Sequence, residues 1–149
     1  MKLNLNVLDR LVLSGLYAQM QVEGGKIFEN AMLKHFQKTI DFTLEEASDF
    51  DIRLDETKQQ YQWNKKGQEG KDIEIHPKAV DFLCGKIIDR VHDKIALGQY
   101  EVLINFLKKV YDHEDSTLLK PSTLDKVKKE INVDLDDLDS LDEDLDKKE

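Results

Sequence analysis

Apolar residues alternate with asparagine at the start of the chain, Leu3, Leu5 and Val7 against Asn4 and Asn6, and this period of two predicts a short strand over residues 3–7. The period then lengthens. Leu8, Leu11, Val12, Leu16, Tyr17 and Met20 fall at helical spacing in a stretch that begins near Asp9 and is broken by Gly24-Gly25. From Lys26 onward Ile27, Phe28, Ala31, Met32, His35, Phe36 and Ile40 lie on one face of a second amphipathic helix. Thr43 with Glu46 has the capping-box pattern, in which each side chain takes the backbone N–H of the other, and predicts a short helix from Leu44 to near Phe50.

Period two returns after that. Phe50, Ile52 and Leu54 alternate with Asp51, Arg53 and Asp55, and beyond a polar turn Tyr61 and Trp63 alternate with Gln60, Gln62 and Asn64. The pattern predicts a β-hairpin with its apolar and aromatic residues on one face. Residues 64–71 read as a polar connection, and 72–75 as a third short strand. Pro77 suits the first turn of a helix, where its missing N–H breaks no bond. That helix, 77–97, has apolar residues at Ala79, Val80, Phe82, Leu83, Cys84, Ile87, Ile88, Val91 and Ile95, wider than one stripe, so it is expected at the centre of the fold. Gly98 punctuates, and 99–111 completes a helical hairpin through Val102, Leu103, Phe106, Leu107, Val110 and Tyr111.

The remainder differs in character. The expected organisation is a globular domain over 1–111, a linker over 112–121, a short helix over 122–133 and an Asp/Leu tail over 134–149. The tail holds nine acids and two lysines, a net charge of −7, out of −9 for all 149 residues. The body is therefore close to neutral. Leu135, Leu138, Leu141 and Leu145 recur every three or four residues among the aspartates, on one side of a helix if one forms. Aspartate is a poor helix former and like charges repel, so the tail is expected to be disordered alone and to fold on a partner. The plainer reading is a solvated acidic segment. A calcium loop lacks its central Gly and terminal Glu.

Composition narrows the classes further. With 40% hydrophobic, 36% charged and 7% aromatic residues, the chain is neither collagen-like, nor a disulfide scaffold, nor disordered throughout. Cys84 is the single cysteine. No apolar run nears the ~20 residues of a membrane span, and no secretory signal is visible, so a soluble cytoplasmic protein is expected.

Chemical motifs are sparse. Gly24-Gly25-Lys26 and Gly70-Lys71 lack the glycine spacing that converges N–H groups on phosphate, and tight turns before helices account for both. His35, His76, His92 and His113 show no metal-binding spacing, so no metal and no cofactor is expected. His35 reads as a hydrogen-bonded group at the core edge, and Cys84 as an inert core residue rather than half of a Cys–His pair. Lys34 with Lys38, and Lys126 with Lys128 and Lys129, are interspersed with acids, so nucleic acid is not the expected partner. Gly85 stands inside the central helix, either for close helix approach or through simple tolerance. Tyr61 and Trp63 are candidate anchors for a partner, since such residues on a hairpin make binding hot spots. Their alternative role, ranked ahead of it, is to cover the helices as core residues.

Short segments of the chain resemble a loosely defined group of small acidic proteins of tailed bacteriophages. The matching residues are Leu5-Asn6-Val7-Leu8-Asp9-Arg10-Leu11, Phe42-Thr43-Leu44-Glu45-Glu46, Trp63-Asn64, and Gly70-Lys71-Asp72-Ile73-Glu74-Ile75 with the helix start 78–83. The resemblance covers residues 3–111 and excludes the tail. It implies a phage accessory or structural protein in the host cytoplasm or the virion, and carries no activity or site.

The expected fold is α+β, mainly helical: a helical body, a small antiparallel hairpin and a disordered acidic C-terminal tail. The expected function is a non-catalytic protein-interaction module without cofactors. Its partner is a protein with a basic or groove-bearing surface, engaged through Tyr61, Trp63, Leu135, Leu138, Leu141 and Leu145; a homo-oligomer is one form of this. The alternative is an enzyme whose pocket the sequence does not display, gathering His35, Cys84 or His92 with carboxylates.

Overall fold

The opening alternation forms strand β1 (Lys2–Leu5), with Leu3 and Leu5 buried and Lys2 and Asn4 exposed. A computed structural model of the chain describes residues 1–23, 25–91, 95 and 97–132. After β1 come α1 (Val7–Glu23), α2 (Ile27–Thr39), α3 (Leu44–Asp49), the hairpin strands β2 (Arg53–Asp55) and β3 (Gln60–Gln62), α4 (Lys65–Glu69) and β4 (Lys71–Glu74). Helices α5 (Pro77–Val91) and α6 (Leu97–Asp112), a 3-10 turn (Glu114–Leu118) and α7 (Pro121–Ile131) follow. The protein is α+β and mainly helical, with two small antiparallel sheets, β1–β4 and β2–β3. The tail, with Leu135, Leu138, Leu141 and Leu145, lies outside the described residues, as do Gly24 and His92.

Local chemistry sets most helix starts. Asn6 Oδ1 accepts the Asp9 N–H at 2.8 Å while Asp9 Oδ2 accepts the Asn6 N–H at 3.0 Å, a reciprocal cap on α1. Thr43 and Glu46 cap α3 in the same reciprocal way, as their spacing predicts. Asn64 caps α4 by accepting the Gly67 N–H at 3.2 Å, so the expected polar connection over 64–71 contains a helical turn. Leu97, expected at the end of the central helix, instead opens α6, and Gly98 lies inside that helix.

The long-range antiparallel pairing of β1 with β4, Leu3 opposite Ile73, brings the two ends of residues 1–75 together. Gly70 makes that closure possible. Its φ of 88° is left-handed, and a Cβ there would sit 2.3 Å from Asn4 Oδ1. Gly70 therefore turns the chain from a helix into a strand, not into a helix as expected.

The core lies between α5, α6, α1 and the C-terminal half of α2. Val80, Leu83, Cys84 and Ile87 of α5 meet Leu103, Phe106 and Leu107 of α6 in one buried cluster with Leu13, Tyr17, Phe36 and Ile40. Helix α7 packs on α5 and α6, and Leu119 and Val127 join the same cluster, so residues beyond 111 contribute to the core. The expected apolar face of α2 is only half used. Leu33, Phe36 and Ile40 are buried, whereas Ile27 and Phe28 in the first turn are 90% and 56% exposed. The first turn meets α5 only at the surface, through Phe28 against Phe82 and Glu29 near Lys86, so its apolar residues stay exposed.

The two helix-adjacent glycines separate cleanly. A Cβ at Gly85 would meet nothing within 4 Å, so simple tolerance, not close approach, explains that residue. Gly85→Ala is expected to raise stability by roughly 0.5–1 kcal/mol through helix propensity and unfolded-chain entropy. Gly70→Ala should lower it, and the urea-unfolding midpoints of both variants check the pair.

Candidate interaction surface

The hairpin stands on a buried ionic anchor. Arg10 on α1 is 1% exposed. Its guanidinium donates to the Ile40 carbonyl at 2.8 Å, to the Asp41 carbonyl at 3.0 Å, and to both carboxylate oxygens of Glu46 at 2.7 and 3.1 Å. It also lies 4.0 Å above the Phe42 ring. Glu46 adds the Thr43 N–H and the Lys71 ammonium. Arg10 hydrogen bonds, helped by the Thr43 N–H and Lys71, outweigh burial and hold the Glu46 carboxyl down to about 2. Beyond α3, Asn64 donates its N–H to the Phe50 carbonyl and its side-chain amide to the Asp49 carbonyl, both at 2.8 Å. The base of the hairpin is thus fixed, and its turn residues 56–59 are exposed.

Tyr61 lies in β3 and Trp63 just past its end, so the strand is shorter than predicted and the two have different environments. Tyr61 pairs across the strands with Leu54, and the two are 53% and 48% exposed. Tyr61 borders a groove of about 310 Å³ whose apolar wall is Leu11, Val12 and Leu16 of α1 with Leu103 of α6, and whose polar groups are Gln19, Arg90 and Gln99. Trp63 is half-buried and packs against α4. A Cβ at Gly67 would come within 2.9 Å of Trp63 Cδ1 and 2.8 Å of Val7 Cγ2, so the glycine makes room for both side chains. Tyr61 is the more exposed of the pair, and Trp63 packs between the body and α4.

A second exposed apolar surface lies where α2, α5 and the 3-10 turn meet, made of Phe28 and Phe82, which the sequence pattern places on apolar helix faces, and Leu118 of the expected linker. Phe28, Phe82 and Leu118 line a hollow of about 400 Å³ with Lys78, Asp81 and Lys120. Phe28 stands edge-on to Phe82 at 6.4 Å.

Among the described titratable groups singled out by sequence, His35 and His76 meet, with their ring centroids 6.5 Å apart. Cys84 is fully buried among core side chains, and burial, then the Asp81 charge, pushes its thiol far up. His35 Nε2 accepts the His76 backbone N–H at 3.2 Å, and His76 Nδ1 accepts the Lys78 N–H at 3.1 Å at the start of α5. Among the described residues no three metal-capable side chains cluster, and no helix is long and apolar enough to cross a membrane. No protein-family model, curated protein or solved structure matches the chain.

The His35 contact makes a pH prediction. Burial first, then the neighbouring His76 and Lys38 charges, hold the His35 imidazole below its ordinary 6.5. A lowered folded value means that the unfolded chain binds the proton more readily. The His35 contribution is therefore fully present above pH 6.5 and is lost as pH falls through the lower folded value. The thermal midpoint is expected to fall between pH 7.5 and 5, and His35→Gln, which keeps an acceptor, should flatten that fall. An identical pH profile in the variant would remove His35 from the account.

Proposed function

We propose that the protein is a non-catalytic protein-interaction module that meets a protein partner through the hairpin and the acidic tail. The observation that carries the reading is Tyr61: a half-exposed aromatic on a hairpin with a fixed base, at the mouth of an apolar groove. A rigid aromatic beside a groove supplies large contact area with little loss of side-chain freedom, the usual composition of a binding hot spot. Arg90, Gln19 and Gln99 supply hydrogen-bonding groups at the groove edge. The tail, at −7, attracts a basic surface from a distance and speeds association, while its four leucines supply apolar contacts. The phage resemblance supports an accessory or assembly role in the host cytoplasm or virion.

Tyr61→Ala is expected to weaken partner binding by at least ~2 kcal/mol, about 30-fold, as hot-spot truncation does. Its thermal midpoint should barely move, because half of the side chain is already in water. The tagged full chain, Tyr61→Ala and the fourfold leucine-to-serine tail variant are compared by affinity capture from the native cell with mass spectrometry. A protein retained by the first and lost from the other two is the expected partner. Equal recovery by all three would contradict the reading.

A further inference from the structure

The second apolar surface carries two lysines and one acid, whereas among the described residues the only charged one lining the Tyr61 groove is Arg90. Phe28 and Leu118, which line the hollow with Phe82, are 56% and 62% exposed, and Ile27, next to Phe28 in the chain, is almost wholly bare. The acid within the hollow is already engaged: Asp81 accepts the Lys120 N–H and the Thr123 hydroxyl, each at 2.8 Å. Glu29 faces Lys86 at 3.6 Å, and the Lys86 ammonium lies 5.5 Å from the Phe82 ring centre. Lys78 and Lys120 are exposed, and neither ammonium has an ion-pair partner among the described residues. Bare aromatic and aliphatic side chains flanked by unspent lysines suit a ligand that carries leucines between acids.

Residues 134–149 of the same chain have that composition, with four leucines spaced for one side of a helix and nine acids around them. We infer that the patch of Phe28, Phe82 and Leu118 with Lys78 and Lys120 is a docking site for this acidic segment of its own chain. Geometry allows it. Helix α7 begins beside the patch, at Pro121, and its 11 residues carry the chain about 16 Å away at 1.5 Å per residue. The 17 residues after Asn132 span at most about 60 Å extended, and about 25 Å if helical, so the segment can return along α7 to the hollow. Covalent attachment sets an effective concentration on the order of mM, so even a weak contact is populated. The acids meet Lys78 and Lys120, the leucines cover Phe28 and Leu118, and a basic partner of the tail competes with the body for it. The inference does not depend on Tyr61, which lies on a different surface.

A spin label on the full chain at Ser140→Cys tests this, since Cys84 is buried and stays unlabelled. Amide signals of residues 27, 28, 82 and 118–120 are expected to lose most of their intensity at every protein concentration. The loss should disappear in the labelled Lys78→Glu/Lys120→Glu chain, and in the labelled chain whose four tail leucines are serine, a change that leaves the body untouched. Intensity loss elsewhere, or nowhere, would overturn the inference. So would loss seen on unlabelled copies in a mixed sample, which would make a second copy the occupant.

Discussion

Glu46→Ala is expected to destabilise the protein by roughly 3–5 kcal/mol, the magnitude found when one partner of a buried pair is removed. The residue left behind, Arg10, is almost completely buried, and two of its four hydrogen bonds go to Glu46. Without the carboxylate the guanidinium keeps the Ile40 and Asp41 carbonyls and the Phe42 ring but has no counter-charge. The Glu46 half of the α3 capping box, its bond from the Thr43 N–H, is lost as well, while the Thr43 hydroxyl keeps the backbone N–H of residue 46. Urea unfolding with an unchanged slope and a lowered midpoint is the expected signature. The pH dependence follows from the same contacts. The Glu46 carboxyl sits at about 2 rather than 4.5, so its contribution is complete above 4.5 and is lost as pH falls through about 2. Glu46→Gln should show a shallower acid limb than the natural chain. This window lies below that of His35, so the two are separable in one titration.

Ile87→Ala is the second large effect. Ile87 is fully buried on α5 within the central cluster, and removing its outer methyls leaves a cavity that close-packed neighbours fill only in part. The expected loss is about 2–5 kcal/mol. At roughly 2–4 °C per kcal/mol for a chain of this size, the thermal midpoint should drop by about 4–20 °C. Val91, one turn further on, is only partly buried, so Val91→Ala should do less. An unchanged midpoint in the Ile87 variant would mean that α5 is not at the centre of the core.

These two residues mark how far the sequence could be read. Ile87 belongs to a helix whose wide apolar pattern announces burial on two sides, and the Thr43–Glu46 cap is a contact over three residues with a recognisable spacing. Arg10 gave no such signal. Its partners are 30 to 36 residues away, and a lone arginine on a helix looks the same whether it faces water or Glu46. The β1–β4 pairing, Leu3 with Ile73, is equally silent in local pattern. Helix α4 was hidden because its five residues, Lys-Lys-Gly-Gln-Glu, are polar and contain glycine; only Asn64 as a cap hinted at it. Periodicity also overreached: Ile27 and Phe28 continue the stripe of Phe36 and Ile40 but stay exposed, Phe28 meeting α5 only edge-on at Phe82.

The same contrast applies to the interaction surface. Period two places Tyr61 in a hairpin strand but wrongly extends that strand to Trp63, which lies just past Gln62 and packs at α4. It also cannot distinguish an anchor from a packing residue. That distinction is made by Gly67, which lets α4 close on Trp63, and by α1 and α6, which leave a groove beside Tyr61. The groove draws on segments around residues 11–19, 61, 90–103, and no local pattern joins them.

Replacing Tyr61 with a photo-crosslinking phenylalanine analogue in the full chain, expressed in the native cell, is the most direct measurement of the interaction reading. Gln62, whose side chain points to the other face of the hairpin, is the control position. Irradiation should give one discrete adduct from position 61, identified by mass spectrometry, and none from position 62. No adduct from position 61, or the same products from both positions, would contradict the account.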